Sequence, residues 1–341
     1  MTARVETVRS AARTLRTVLI NIVVLATLLV AVEAVARLAV YATRGSATAG
    51  LQERTLNLDY EPFVMFGPGW DSQLARPPAD GLPTVMLVGG STAQGFAPEI
   101  LETALAGRFG RRVRVVNAAY GGYNVRQEVV VAALWAGRVK PAALVSLDGH
   151  NDLEHRLRVA ASGGFFLDPT YHFYLTRPYL APFAYLASRS QAYNAVTRAM
   201  ARRRVGAAAE YADAIPVYLE GQHALTVIAR GLDASRLMVL QPFVAFKQPR
   251  SAEERAFTAY EYREPVMRAL YDQTAAAMAS LAEKDDAAFL DARSIFNGID
   301  EPIFTDDVHF RTVRGYERLA RAIASAMPDD ALGGVGRARH P

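Results

Sequence analysis

The sequence predicts an α/β protein: a parallel sheet covered by helices on both faces, preceded by an apolar helix long enough to cross a membrane. Three observations predict it. From Thr84 onward, short apolar runs alternate with amphipathic stretches. Those runs are continuously apolar, as strands buried on both faces must be, whereas strands with one wet face alternate. Near the amino terminus, Thr17 to Val32 is apolar apart from Asn21.

The amino-terminal run continues through Glu33 and Arg37 to Tyr41. It reaches the length of about 20 residues that a spanning helix needs, provided the Glu33/Arg37 turn lies at the interface. Those two residues are spaced i,i+4 and can pair on one helical face. Arg4, Arg9, Arg13 and Arg16 precede the run against a single Glu6. Positive residues stay in the cytoplasm, so residues 1–16 form a cytoplasmic basic tail, 17–41 a single-pass anchor, and the remainder lies on the outer, periplasmic or extracytoplasmic side. A cleaved signal peptide, cut near Ala47-Thr48-Ala49, is the alternative, but the charged turn separates that site from the apolar run.

Residues 42–80 carry Gly67-Pro68-Gly69 and Pro77-Pro78 without sustained periodicity and read as a linker or lead-in to the α/β domain, residues 81–328. Strands are expected at Val85–Val88, Val113–Val116, Ala142–Leu147, Leu237–Leu240 and Ala288–Leu290. Helices are expected at Pro98–Arg108, Arg126–Ala136, Ala208–Leu232, Tyr262–Glu283 and Val313–Met327. Between the third and fourth strands lies far more chain than one crossover needs. An insertion over about 155–207, rich in aromatics such as Phe165, Phe166, Tyr171 and Tyr174, is expected above the sheet as a lid, a substrate wall or ordinary packing. Residues 329–341, ending in a glycine-rich stretch, read as a tail.

Composition narrows the function. The net charge of +4 over 341 residues is modest and scattered, which argues against nucleic acid as a partner. Arg202-Arg203-Arg204 reads as a solvated face. The absence of cysteine removes disulfides, thiolate metal sites and cysteine nucleophiles. The six histidines show no clustered ligand spacing, so neither a metal nor an organic cofactor is expected.

The chemistry-bearing residues sit where apolar runs end. Leu87-Val88-Gly89-Gly90-Ser91-Thr92 places a hydroxyl at the carboxyl end of a strand. It is not a Walker loop, because Phe96-Ala97 follows Gly95 where Lys-Ser/Thr is required. Nor is it an α/β-hydrolase elbow, because Ala93 replaces the second glycine of G-x-S-x-G. Ser91 is then either a nucleophile or a helix N-cap. Gly121-Gly122 after the second strand can bring backbone N–H groups to an oxyanion or merely turn the chain. Asn151, in Asp148-Gly149-His150-Asn151-Asp152, can donate to an oxyanion or start an Asx-turn, with His150 as a rim residue. Asp306-Asp307-Val308-His309 is preferred as the base-bearing segment: His340 is in the tail, and His172 and His223 lack an Asp three residues upstream, whereas His155 has Asp152 at that spacing. Asp306 is the orienting carboxylate and Asp307 a competitor.

In order and spacing this set resembles the SGNH (GDSL-like) hydrolase superfamily over about residues 81 to 328, and with the anchor it is similar to exported, membrane-anchored bacterial members. The resemblance implies a flavodoxin-like three-layer α/β/α sandwich. It implies Ser91 as nucleophile, His309 as base and then acid, and Asp306 as its orienting partner. The oxyanion hole would be the N–H groups of Ser91 and Gly122 and the Asn151 side chain. Gly-Gly-Ser-Thr stands where Gly-Asp-Ser-Leu is commoner, and Ala119 occupies a position often held by glycine, leaving Gly122 rather than Gly121 as donor. The implied activity is hydrolysis of acyl esters, acetyl among them, on cell-surface glycans or lipids. A polysaccharide O-acyltransferase with the same covalent step, and a non-catalytic glycan- or assembly-binding module, are the alternatives.

Overall fold

The apolar runs become the five strands of one sheet in the computed structural model: β1 (Thr84–Gly89), β2 (Arg114–Asn117), β3 (Ala143–Asp148), β4 (Ser235–Leu240) and β5 (Ala288–Asp291). The structure describes residues 2–44, 61, 63–64, 66–74, 81–158, 178–180, 183, 187, 189–202, 206–255 and 263–333. The aromatic stretch 165–174, the 47–49 cleavage motif and Arg203-Arg204 lie outside them. Beyond the strands run α1 (Thr2–Arg44), α2 (Ser91–Gln94), α3 (Pro98–Phe109), α4 (Val125–Val139), α5 (His150–Arg158), α6 (Gln191–Arg202), α7 (Ala214–Gly231), α8 (Glu264–Lys284) and α9 (Val313–Ala326).

The contacts divide the chain into two units, Met1–Leu56 with Thr176–Arg204, and Asn57–Leu175 with Val205–Pro341. In the second unit every strand pair is parallel and the order is β2-β1-β3-β4-β5. This is the flavodoxin-like doubly wound order, whose connections reverse direction between β1 and β3. Helices α3 and α9 pack together on one face, and α4, α7 and α8 on the other, which makes three layers. β1 and β3 are buried along their whole length, including the polar Thr84, Ser146 and Asp148. Each fully buried Val or Leu there contributes about 1.5–3 kcal/mol.

The lead-in packs on this unit. Val64, Phe66 and Trp70 are buried, and the Trp70 indole N–H donates to Tyr123 Oη at 3.1 Å. Tyr123 Oη in turn donates to the Phe66 carbonyl at 2.6 Å, which buttresses the turn after β2. Ala331 and Leu332, which the sequence places in the tail, are buried in the core.

The first unit is organised differently. Of the stretch expected as an insertion above the sheet, residues 176–204 group with α1. Among the described residues, α1 carries one segment, Thr14–Ala42, long and apolar enough to cross a membrane. Glu33 and Arg37 form the expected i,i+4 pair at 2.7 Å.

Candidate active site

An open parallel sheet binds ligands at the carboxyl ends of its strands where the order reverses. Here that point lies between the turn after β1 and the turn after β3, which carry Ser91 and Asn151. The two strands run close together: a Cβ on Gly89 would stand 2.3 Å from the Leu147 carbonyl oxygen, so only glycine fits.

Gly90, in extended conformation, is the N-cap of α2, and Ser91 is its first helical residue. The capping role that competed for Ser91 therefore belongs to Gly90, and the half-exposed Ser91 hydroxyl makes no cap hydrogen bond. Thr92 and Ala93 behind it are buried. Asn117, the last residue of β2, fixes this short helix from the side. Its Nδ2 donates to the carbonyls of Ala93 and Phe96 at 2.8 and 2.9 Å, and its Oδ1 accepts the Ala119 N–H at 3.0 Å.

The Gly121-Gly122 turn lies against the same helix. The Gly121 N–H donates to Gln94 Oε1 at 3.0 Å and is thus consumed. Gly122 has φ +82°, a left-handed value that glycine adopts without strain. Among the described residues, the N–H groups of Ser91 and Gly122 have no hydrogen-bond acceptor. Asn151 projects from the start of α5, where its Nδ2 donates to the Tyr123 carbonyl at 2.7 Å. That bond leaves one amide N–H to spare, and among the described residues no N–H donates to Asn151 Oδ1, so the Asx-turn alternative is unused. The amide abuts the Ser91 turn, since a Cβ on Gly90 would come within 2.6 Å of Asn151 Nδ2.

The Asp306–His309 turn is held by its own carboxylate. Asp306 Oδ1 accepts the N–H groups of Val308 and His309 at 2.9 and 2.8 Å, and Oδ2 faces His309 Nδ1 at 2.7 Å. This fixes the tautomer: Nδ1 carries the proton toward Asp306, and Nε2 keeps the lone pair. The hydrogen bond His309 donates to Asp306 raises the His309 pKa against the opposing effect of burial. Burial works against the Asp306 carboxylate, but the His309 hydrogen bond and charge, with the two backbone N–H groups, outweigh it and hold its pKa below the ordinary value.

This turn meets the Ser91 turn through neighbours. Thr92 Oγ1 stands 3.5 Å from the Val308 carbonyl oxygen and accepts from Gln241 Nε2 at 3.3 Å. No hydrogen bond joins Ser91 Oγ to His309 Nε2 among the described residues. Catalytic hydrogen bonds are often long without substrate.

Asp307 does not compete with Asp306. Its carboxylate faces His150 Nε2 at 3.2 Å, and His150 Nδ1 meets Tyr271 Oη at 3.1 Å. His150, expected at the rim, is instead 5% exposed. Deeper still, Asp148 accepts from Tyr218 Oη and Gln222 Nε2, while Arg236 Nη2 donates to Ser146 Oγ and Gln222 Oε1. Burial, then the Asp148 charge, pushes Asp152 up to about 8. Gln94 and Gln241 escaped the sequence reading, which carried Asn117 within its motif set without assigning it a role. Asn117 and Gln241 are amides at or just beyond strand ends, a position that could have drawn notice.

No family model matches the chain, and no curated protein matches it. Among solved structures, it is similar to an acetylxylan esterase from Geobacillus stearothermophilus at 17% identity, covering 72% of this chain and 93% of that one with a TM-score of 0.43. It is also similar to a GDSL-like lipase from Bacteroides thetaiotaomicron at 10% identity, covering 75% and 94% with a TM-score of 0.44.

Proposed function

We propose that the sheet-bearing unit is a serine esterase of the SGNH type. The observation that carries this reading is the half-exposed Asp306–His309 pair, whose turn abuts that of an uncapped serine at the switch point of the sheet. Ser91 Oγ attacks the ester carbonyl carbon while His309 Nε2 takes the hydroxyl proton. The tetrahedral oxyanion receives hydrogen bonds from the Ser91 and Gly122 N–H groups and from the second amide N–H of Asn151. His309 then protonates the departing alcohol, leaving an acyl-serine. Water attacks that ester with His309 again accepting the proton, which it returns to Ser91 Oγ as free acid leaves. Asp306 stabilises the imidazolium that forms twice in the cycle.

The substrates we infer are small acyl esters on surface glycans or lipids, reached from the outer side of a membrane that α1 crosses with residues 1–16 in the cytoplasm. The reading rests on the positive-inside arginines and the apolar span. The test is hydrolysis of a short-chain aryl ester by purified protein, with free acid and acylated acceptor measured in parallel. Ser91→Ala should abolish turnover, and equal activity in that variant would exclude the assigned nucleophile.

A further inference from the structure

The described residues of the 176–204 segment cover one length of α1 and leave another bare. Every residue from 14 to 32 is exposed, whereas Glu33, Ala36, Arg37 and Val40, which share one helical face, are half-buried. The bare stretch of 19 residues spans about 28 Å at 1.5 Å per residue, close to the thickness of a bilayer's hydrocarbon core. Cover therefore begins where the apolar run ends.

Glu33 is the residue at that boundary, and it holds the covering segment by the start of α6. Ser190 Oγ donates to its carboxylate at 2.7 Å, and the N–H groups of Gln191 and Ala192 donate at 3.0 and 3.1 Å. Arg37 completes the junction, donating to Glu33 at 2.7 Å and to the Arg189 carbonyl at 3.0 Å. A carboxylate that caps a helix from another element fixes both its position and its direction. The segment so held exposes large apolar side chains: Tyr179 is 70% exposed, Phe183 69%, Tyr193 50% and Val196 59%. Tyr193 and Val196 are spaced i,i+3 and share a face of α6.

We propose that residues 176–204 form a collar seated in the headgroup region of the outer leaflet, locked at that depth by Glu33. The occupant of the exposed apolar face is phospholipid. Once α1 spans the bilayer, its bare stretch fills the hydrocarbon and Glu33 comes to the boundary, where amphipathic aromatic rings are favoured. The collar prevents the anchor from sliding, since moving α1 inward would drag the α6 start and its Arg37 partner into hydrocarbon.

The inference rests on the anchor reading and is independent of the ester chemistry. The chain has no cysteine, so single substitutions give clean labelling sites in the full-length protein reconstituted in phosphatidylcholine nanodiscs. An environment-sensitive fluorophore is placed at Val24→Cys, Phe183→Cys, Tyr193→Cys or Val196→Cys. Quenching is compared for lipids carrying a nitroxide near the headgroup, lipids carrying one deep in the chain, and aqueous iodide. We expect the probe at 24 to be quenched by the deep nitroxide and those at 183, 193 and 196 by the shallow one. Glu33→Ala should abolish shallow quenching at 193 and 196 and leave position 24 unchanged. Quenching at 193 and 196 by iodide alone, or shielding from every quencher as a protein partner would give, overturns the collar while the anchor stands. Loss of deep quenching at 24 overturns the anchor itself. Unchanged shallow quenching in both Glu33→Ala and Glu33→Gln overturns the lock.

Discussion

Two histidine–aspartate pairs lie side by side in this molecule and differ in almost everything but composition. His309 and Asp306 have side chains 38% and 43% exposed, whereas those of His150 and Asp307 are 6% and 8% exposed. Asp306 spends one oxygen on two backbone N–H groups and the other on His309 Nδ1, so the imidazole keeps Nε2 for chemistry. Both His150 nitrogens are engaged, one by Asp307 and the other by Tyr271, which leaves no lone pair for a substrate proton. A base therefore needs one nitrogen oriented by the protein and the other spared; the buried pair instead ties α5 and α8 to the base loop.

Substitution breaks this comparison most sharply at the histidines. His309→Gln should lower kcat about 10²–10⁴-fold, the range for loss of a general base, while His150→Gln should keep activity and lose thermal stability. Steady-state kinetics alongside thermal unfolding separates the two, and equal kinetic losses would end the distinction. Asn151→Ala is next, with kcat expected about 10²–10³-fold lower, as for removal of one oxyanion donor. A change confined to KM would place Asn151 in binding instead.

The pH dependence sharpens the comparison further. His309 acts only when neutral, and Asp306 raises its pKa, so the protonated, inactive form persists to higher pH than for an ordinary histidine of about 6.5. The acid limb of kcat/KM should lie above that value and move down in Asp306→Asn, by more than in Asp307→Asn, since the Asp307 charge makes the smaller contribution to the shift. The smallest effect is on stability. Asp152 is protonated in the folded protein up to about pH 8 but ionises near its ordinary value of about 3.9 when unfolded. The unfolded chain thus binds fewer protons between those values, and this group makes stability fall as pH rises through that window. Asp152→Asn should raise Tm more at pH 8 than at pH 4, by about 2–4 °C for each kcal/mol recovered. Equal gains at both pH values would contradict the assignment.

The sheet was legible because the strands are mostly apolar and do not alternate with polar residues; β1 differs from its expected span by one residue at each end. The choice between Asp306 and Asp307 was favoured but not decided by spacing, because both lie within reach of His309 in a turn. In the folded turn the second carboxylate faces His150, a residue 157 positions upstream of it in the chain. His150 itself read as a rim residue because it stands in a polar cluster at a strand end, and nothing local reports that Phe243 and Tyr271 close over it. The grouping of 176–204 with α1 depends on Glu33 reaching Ser190, a long-range contact that sequence pattern does not encode.

The most direct test of the central claim is reaction of the full-length protein with a fluorophosphonate probe, followed by peptide mass spectrometry. The account predicts a single adduct on Ser91, formed in wild type and His150→Gln and lost in His309→Gln. An unlabelled Ser91 in active protein, or labelling that survives loss of His309, would contradict it.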